Sequence, residues 1–227
     1  PAGVSGMLRD HFASVGSTRQ SLFEQDFIDI SRVSLDANDK LALATENPLD
    51  TPFPASSLGS QLRAVAETIG SRQAIGAKRQ VYFVGLGGFD THSNQAQALP
   101  GLQQTLSDAM TAFYNATEEL GVADQVTTFT AADFGRTLTA NGDGTDHGWG
   151  GHHFVVGGAV RGGNIYGDIP IAQLGHNQDA GNGRLIPTAS VEQFAAPLGQ
   201  WFGLNNQELA TALPGLTNFP NGALGYI

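Results

Sequence analysis

The stretch from Val81 to Gly151 constrains the fold more than any other: it reads VYFVGLGGFDTH, a helical run, VTTFTAADFGRT, and then NGDGTDHGWGG. Gln80–Gly85 is a β-rich apolar run of the kind expected in a strand buried on both faces. Leu99, Leu102, Leu106, Met110, Phe113 and Leu120 recur on one side of a helix that Gly121 ends. Val126–Thr130 reads as a second strand. Strand, helix and strand in this order form a βαβ crossover, which builds parallel sheets. The expectation is therefore an α/β fold, a mostly parallel sheet flanked by helices. Ligands in such sheets sit beyond the carboxyl ends of the strands. Asp90 and Asp133 fall just past those ends.

From Asn141 to Gly163, nine of twenty-three residues are glycine, so this stretch reads as loop with one short strand, His153–Val156, embedded in it. A hairpin is expected at Asn164–Gly167, followed by a loop over Gly175–Gly183. Ser190 starts a last helix, with Gln193 completing a capping box. Val191, Phe194, Leu198 and Phe202 would form its inner face, and Pro197 should kink it or shift its register. The tail, with Pro214 and Pro220, reads as irregular.

Upstream, residues 1–55 read as a helical segment. Met7, Leu8, Phe12 and Val15 recur at helical spacing, as do Leu22, Phe23, Phe27 and Ile30. The proline-rich Asn47–Ser57 is a loop. Ser56 or Ser57 can cap a helix carrying Leu58, Leu62, Val65 and Ile69, which Gly70 or Gly76 would stop. The expected organisation is this segment, an α/β domain over residues 56–220, and a tail at 221–227.

Composition narrows the function. Eleven basic against twenty-one acidic residues give a net charge of −10 with no basic cluster, which argues against a nucleic-acid partner. The absence of cysteine excludes disulfides, thiolate ligands and a Cys nucleophile. Nothing in the sequence reads as a membrane span. The chain begins at Pro1 without a Met, as a processed or excised piece would.

Four of the six histidines, His92, His147, His152 and His153, lie in or just past the central stretch, with Asp90, Asp133, Asp143 and Asp146. A mixed Asp/His set suits zinc, manganese or another first-row metal better than calcium; calcium and magnesium stay admissible. The bland alternatives are specific. Asp90 and Asp143 could be turn formers, His92 a helix cap, and Asp146-His147 an ordinary polar loop pair. His152 and His153 alternate along a strand, so at most one is expected to face a metal. Arg136 could bind an oxyanion, or pair with Asp133. Thr91, Ser93 and Thr145 lie near these residues, and nothing marks any of them as an activated nucleophile.

GGFDTHSNQ, FTAADFGRT, GTDHGWGG, GGAVRGGNIYG and TASVEQFAAPLGQWFGL, in this order, resemble an uncharacterised bacterial domain family grouped with the alkaline phosphatase/sulfatase superfamily. The likeness covers about residues 53–220. It implies an alkaline-phosphatase-like α/β fold of which this chain is similar to the C-terminal half. It further implies two metals held by Asp and His, hydrolysis of phosphate or sulfate esters, and export to the periplasm or cell surface. Asp90 and His92 look like the first ligand pair, Asp133 like the next Asp, and His147 like the later His. Phe134 stands where the superfamily commonly has a His, so Asp146-His147 could be the pair instead, with His152 or His153 beyond it. The resemblance implies that the superfamily's nucleophile lies in a half that this chain does not contain, which leaves the nucleophile unassigned. That half could be a second chain acting as partner, a disordered part, or a part lost by processing.

The leading expectation is a metal-dependent hydrolase, or the metal-binding half of one, acting on a small ester. Asp90, His92, Asp133, Asp146, His147, His152 and His153 are its candidate ligands, with Arg136 orienting the oxyanion. The rival is a catalytically silent binding or assembly module that keeps the fold.

Overall fold

In the computed structural model, residues 22–44, 48–76 and 78–227 are described. The chain divides into two compact units, Pro1–Leu49 with Ala64–Gln80, and Asp50–Arg63 with Val81–Ile227. The expected helix of Met7, Leu8, Phe12 and Val15 lies outside the described residues.

Helix α1 spans Leu22–Ala44, α2 Ser57–Gly70 and the short α3 Arg72–Ile75. In α1 the expected apolar face does not become a core. Among its described side chains, Phe23, Phe27, Ile30 and Val33 are exposed, and Ile28 is buried. In α2, Leu58, Leu62 and Ile69 are buried as the spacing predicts, while Ala66 is buried in place of the expected Val65, which is half-buried.

Helix α4, Gln95–Glu119, is the long element of the second unit; Ala109, Met110, Ala112, Phe113 and Ala116 form its buried side. Its carboxyl end is anchored by polar contacts. Glu119 accepts backbone N–H groups from Asp50 and Thr51 at 2.8 Å each, which hold its carboxyl below the ordinary value together with the Thr51 hydroxyl, the largest cause. A short 3-10 turn, Ala123–Gln125, leads into β1, Thr127–Phe129.

The sheet expectation is overturned here. Strand β1 pairs antiparallel with β4, Val155–Gly157, through Thr127↔Gly157 and Phe129↔Val155. Strands β2, Gly135–Ala140, and β3, Thr145–Gly148, form a second antiparallel pair. Among the described residues there are two sheets of two strands and no parallel sheet, so the alkaline-phosphatase-like α/β architecture is not what this chain forms. The predicted strand Gln80–Gly85 is the reason. It pairs with no strand among the described residues; Val81 and Phe83 are exposed, and Gly85 bonds through its N–H and C=O to the Gln61 side chain. A strand exists only by pairing, and without this one the βαβ unit has no first member.

Helix α5, Val191–Phe202, opens on the expected capping box of Ser190 and Gln193. Its buried side is Gln193, Ala196 and Pro197, and Val191 is exposed, so the expected inner face is displaced. The tail explains this. Pro197 has no N–H to give the Gln193 carbonyl, and the Leu224 N–H fills that acceptor at 3.0 Å. Buried Tyr226 donates its hydroxyl to the Phe194 carbonyl, and burial pushes its pKa up to about 12. A further helix, α6, spans Asn206–Ala212, capped by Asn205, before a 3-10 turn over Pro214–Asn218. No described helix is long and apolar enough to cross a membrane.

Candidate metal centre

The site is made where one loop meets one hairpin. The loop is Asp90–Asn94, which ends the extended run and leads into α4. The hairpin is β2–β3, with its turn at Asn141–Gly144, closed by Asn141 N–H to the Gly144 carbonyl at 3.0 Å.

Backbone bonds dock the turn onto the loop: Thr145 N–H to Thr91 O at 3.2 Å, and Gln95 N–H to Asp143 O at 3.0 Å. The Gln95 carboxamide spans both segments, donating to the hydroxyls of Thr91 at 2.9 Å and Thr145 at 3.1 Å. Gly144 permits the approach. A Cβ there would lie 2.3 Å from the His92 carbonyl carbon and 2.5 Å from Thr91 O, far inside contact distance. Gly135 does the same on the other side, where a Cβ would meet the Gly150 carbonyl. The many glycines of this stretch thus allow backbones to approach where the side chains must converge.

Arg136 and His147 are cross-strand partners, so their side chains leave the hairpin on one face. Both reach Asp90. His147 Nε2 donates to Asp90 Oδ1 at 2.8 Å, Arg136 Nη1 donates to the same oxygen at 2.9 Å, and His92 Nε2 stands 3.0 Å from it. The carboxyl of Asp90 is held below its ordinary value, first by the His147 hydrogen bond and then by that of Arg136, with the charges of His92 and His147 adding to them. The two imidazole rings are 4.9 Å apart between centroids.

Asp90, His92 and His147 each present one ligand atom, and all three atoms lie within 4.8 Å of one another. With bonds of about 2.1 Å, a tetrahedral ion needs its ligands about 3.4 Å apart. The His147 and His92 Nε2 atoms stand 2.8 and 3.0 Å from Asp90 Oδ1, near that spacing, and all three groups are exposed enough for an ion to enter. The residues fit a first-row divalent metal: two imidazoles and one carboxylate, with coordination positions left for water or substrate.

The remaining candidates take other places. Asp146 faces the far side of His92, its Oδ1 3.4 Å from Nδ1, and the Asn141 carboxamide donates to the same oxygen at 2.5 Å. Asp133, His152 and His153 are not among the three converging residues. His153 contacts the Thr130 hydroxyl at 3.3 Å and lies beside the Phe194 ring at 5.8 Å. Arg136 pairs with Asp90 and not with Asp133. Its Nε also donates to the Thr145 hydroxyl at 3.0 Å and its Nη2 to the Thr145 carbonyl, which fixes the fork against the hairpin. The Thr145 hydroxyl therefore accepts from both Arg136 and Gln95, surroundings that supply no base to take its proton.

Asn141, Gln95 and Gly144 are the contributors that the sequence reading passed over. The NGDG turn signal hinted at Asn141 and Gly144, by placing a tight turn just before Asp146-His147.

No curated protein and no solved structure matches this chain. Residues 5–216 match the family described as "Protein of unknown function (DUF1501)". With nearly the whole chain covered, the protein is a member of the DUF1501 family.

Proposed function

We propose that the protein binds a divalent first-row metal, zinc or manganese, through Asp90, His92 and His147, and uses it to hydrolyse phosphate or sulfate esters. The convergence of these three side chains at one hairpin and one loop carries the reading. A three-ligand site keeps positions open, where a metal polarises an ester oxygen and lowers the pKa of bound water. Arg136 holds the Asp90 carboxylate in place and adds positive charge beside the open face. With no activated hydroxyl beside the three ligands among the described residues, a metal-held water is the nucleophile this arrangement favours.

Elemental mass spectrometry of native protein, alongside Asp90→Ala, tests this reading. Near-stoichiometric zinc or manganese, lost in the variant, is expected, followed by metal-dependent cleavage of aryl phosphate or aryl sulfate. A protein that folds yet takes up no transition metal on reloading is instead the binding or assembly module. One observation favours that second reading: the extended run at Val81–Gly85 exposes Val81 and Phe83, as a strand awaiting a partner chain would.

A further inference from the structure

The geometry points to Phe134 as a positioning residue for the metal ligand His147. This rests on the metal-binding reading above and goes beyond it, since a phenyl ring cannot itself ligate. The Phe134 and His147 rings lie face to face, with centroids 4.0 Å apart and planes within 4° of parallel. An imidazole on a β-strand otherwise rotates about its last side-chain bond, and each rotation swings Nε2 off its target. Pinned flat against Phe134, the His147 ring keeps Nε2 aimed at the point where it meets Asp90 Oδ1 at 2.8 Å.

The stack also has a sign. The face of a phenyl ring is electron-rich, so an offset parallel stack, already a preferred aromatic geometry, gains further attraction when the partner ring carries positive charge. A metal on Nε2 withdraws electron density from the imidazole. Phe134 therefore favours the metal-bound ring over the free one. The Arg136 guanidinium carbon lies 5.7 Å from the centre of the same phenyl ring, so one aromatic side chain borders both Arg136 and His147, the two groups that hydrogen-bond to Asp90 Oδ1.

The decisive comparison is among the wild type, Phe134→Leu and Phe134→Tyr. Each is titrated with zinc, and the His147 ring protons are followed by NMR in the metal-free protein. The phenyl ring current should shift those protons upfield in the wild type and in Phe134→Tyr, and the shift should vanish in Phe134→Leu. Zinc affinity should fall about tenfold in Phe134→Leu, the scale of changes in groups that orient a ligand, and return with Tyr.

If Phe134→Leu does not fold, Phe134→Met keeps the apolar volume without the ring and takes its place. Unshifted His147 protons in the wild type, or wild-type zinc affinity in a folded variant lacking the ring, would overturn the assignment. Failure of the wild type to bind zinc would instead sink the metal site itself, and the positioning role with it.

Discussion

His147 and His153 sit six positions apart within one glycine-rich stretch, the first on β3 and the second just ahead of β4, and both keep contact with solvent. Their neighbours differ completely. His147 on β3 meets the Asp90 carboxylate, the His92 ring and the Phe134 face. His153, just ahead of β4, meets one hydroxyl and the ring of Phe194, in a cluster that continues to Tyr226. The first pair of strands is held by polar contacts and close backbone approaches. The second leans on aromatic packing. The difference teaches that a histidine's role follows the groups brought to it, not the stretch in which it occurs.

The largest effect expected is from Gly144→Ala. The added Cβ has only the backbone of Thr91 and His92 to push against, so hairpin and loop must separate. The cost should be about 1–3 kcal/mol, the range for overpacking, and zinc binding should disappear. Because the β1–β4 pair and its aromatic cluster do not depend on that approach, circular dichroism should still show a folded protein. Retained zinc affinity in this variant would show that the two segments need not meet as described.

Next in size is the paired test of the two histidines. His147→Ala removes a ligand and should lower zinc affinity by more than the roughly 10- to 100-fold that ligand-orienting changes produce. His153→Ala should leave zinc affinity unchanged and lower stability slightly, through lost contact with Phe194. Equal losses in both would erase the comparison and bring His153 back as a ligand. Asp146→Asn falls between them. It removes the carboxylate that faces Nδ1 of His92, and about a tenfold loss is expected, measured by equilibrium dialysis against zinc.

What the sequence disclosed follows the same division. Helix α4 and the Ser190–Gln193 cap were legible because helix periodicity and caps are local, settled within a turn or two of chain. Asp90, His92 and His147 were legible as chemistry because few patterns place Asp and His so near turn-forming glycines. The run Gln80–Gly85 misled, since its composition is that of a buried strand while strand formation needs a neighbour that composition does not name. The same holds for Val191, whose place on the helix face was taken over by the tail bonding at Gln193. Asp133 and Asp146 could not be separated in advance either. Which of them stands beside an imidazole depends on how closely the β2–β3 hairpin approaches the Thr91–His92 loop, and that is set by the missing side chain of Gly144.

The smallest effect expected separates the two regions by pH in the metal-free protein. Burial against its neighbours is the main cause holding His153 below the ordinary 6.5, with the charge of His152 adding to it. Below that value the unfolded chain takes a proton that the folded one still resists, so the contribution is present above about pH 6.5 and lost as pH falls through the folded value. The Asp90 carboxyl is also depressed, but its ordinary value is 3.8, so its contribution is lost only in more acid solution. Glu119, and Asp179 with its carboxylate on the backbone N–H groups of Gly175, Gly181 and Gly183, are lost in that same acid range. Urea midpoints measured across pH should therefore fall in two steps. His153→Leu should flatten the upper step alone, by a fraction of a kcal/mol for so exposed a ring, and leave the lower one to the carboxylates. An upper step unchanged in that variant would mean that His153 does not rest against Phe194 in solution, and the aromatic side of the comparison would need another anchor.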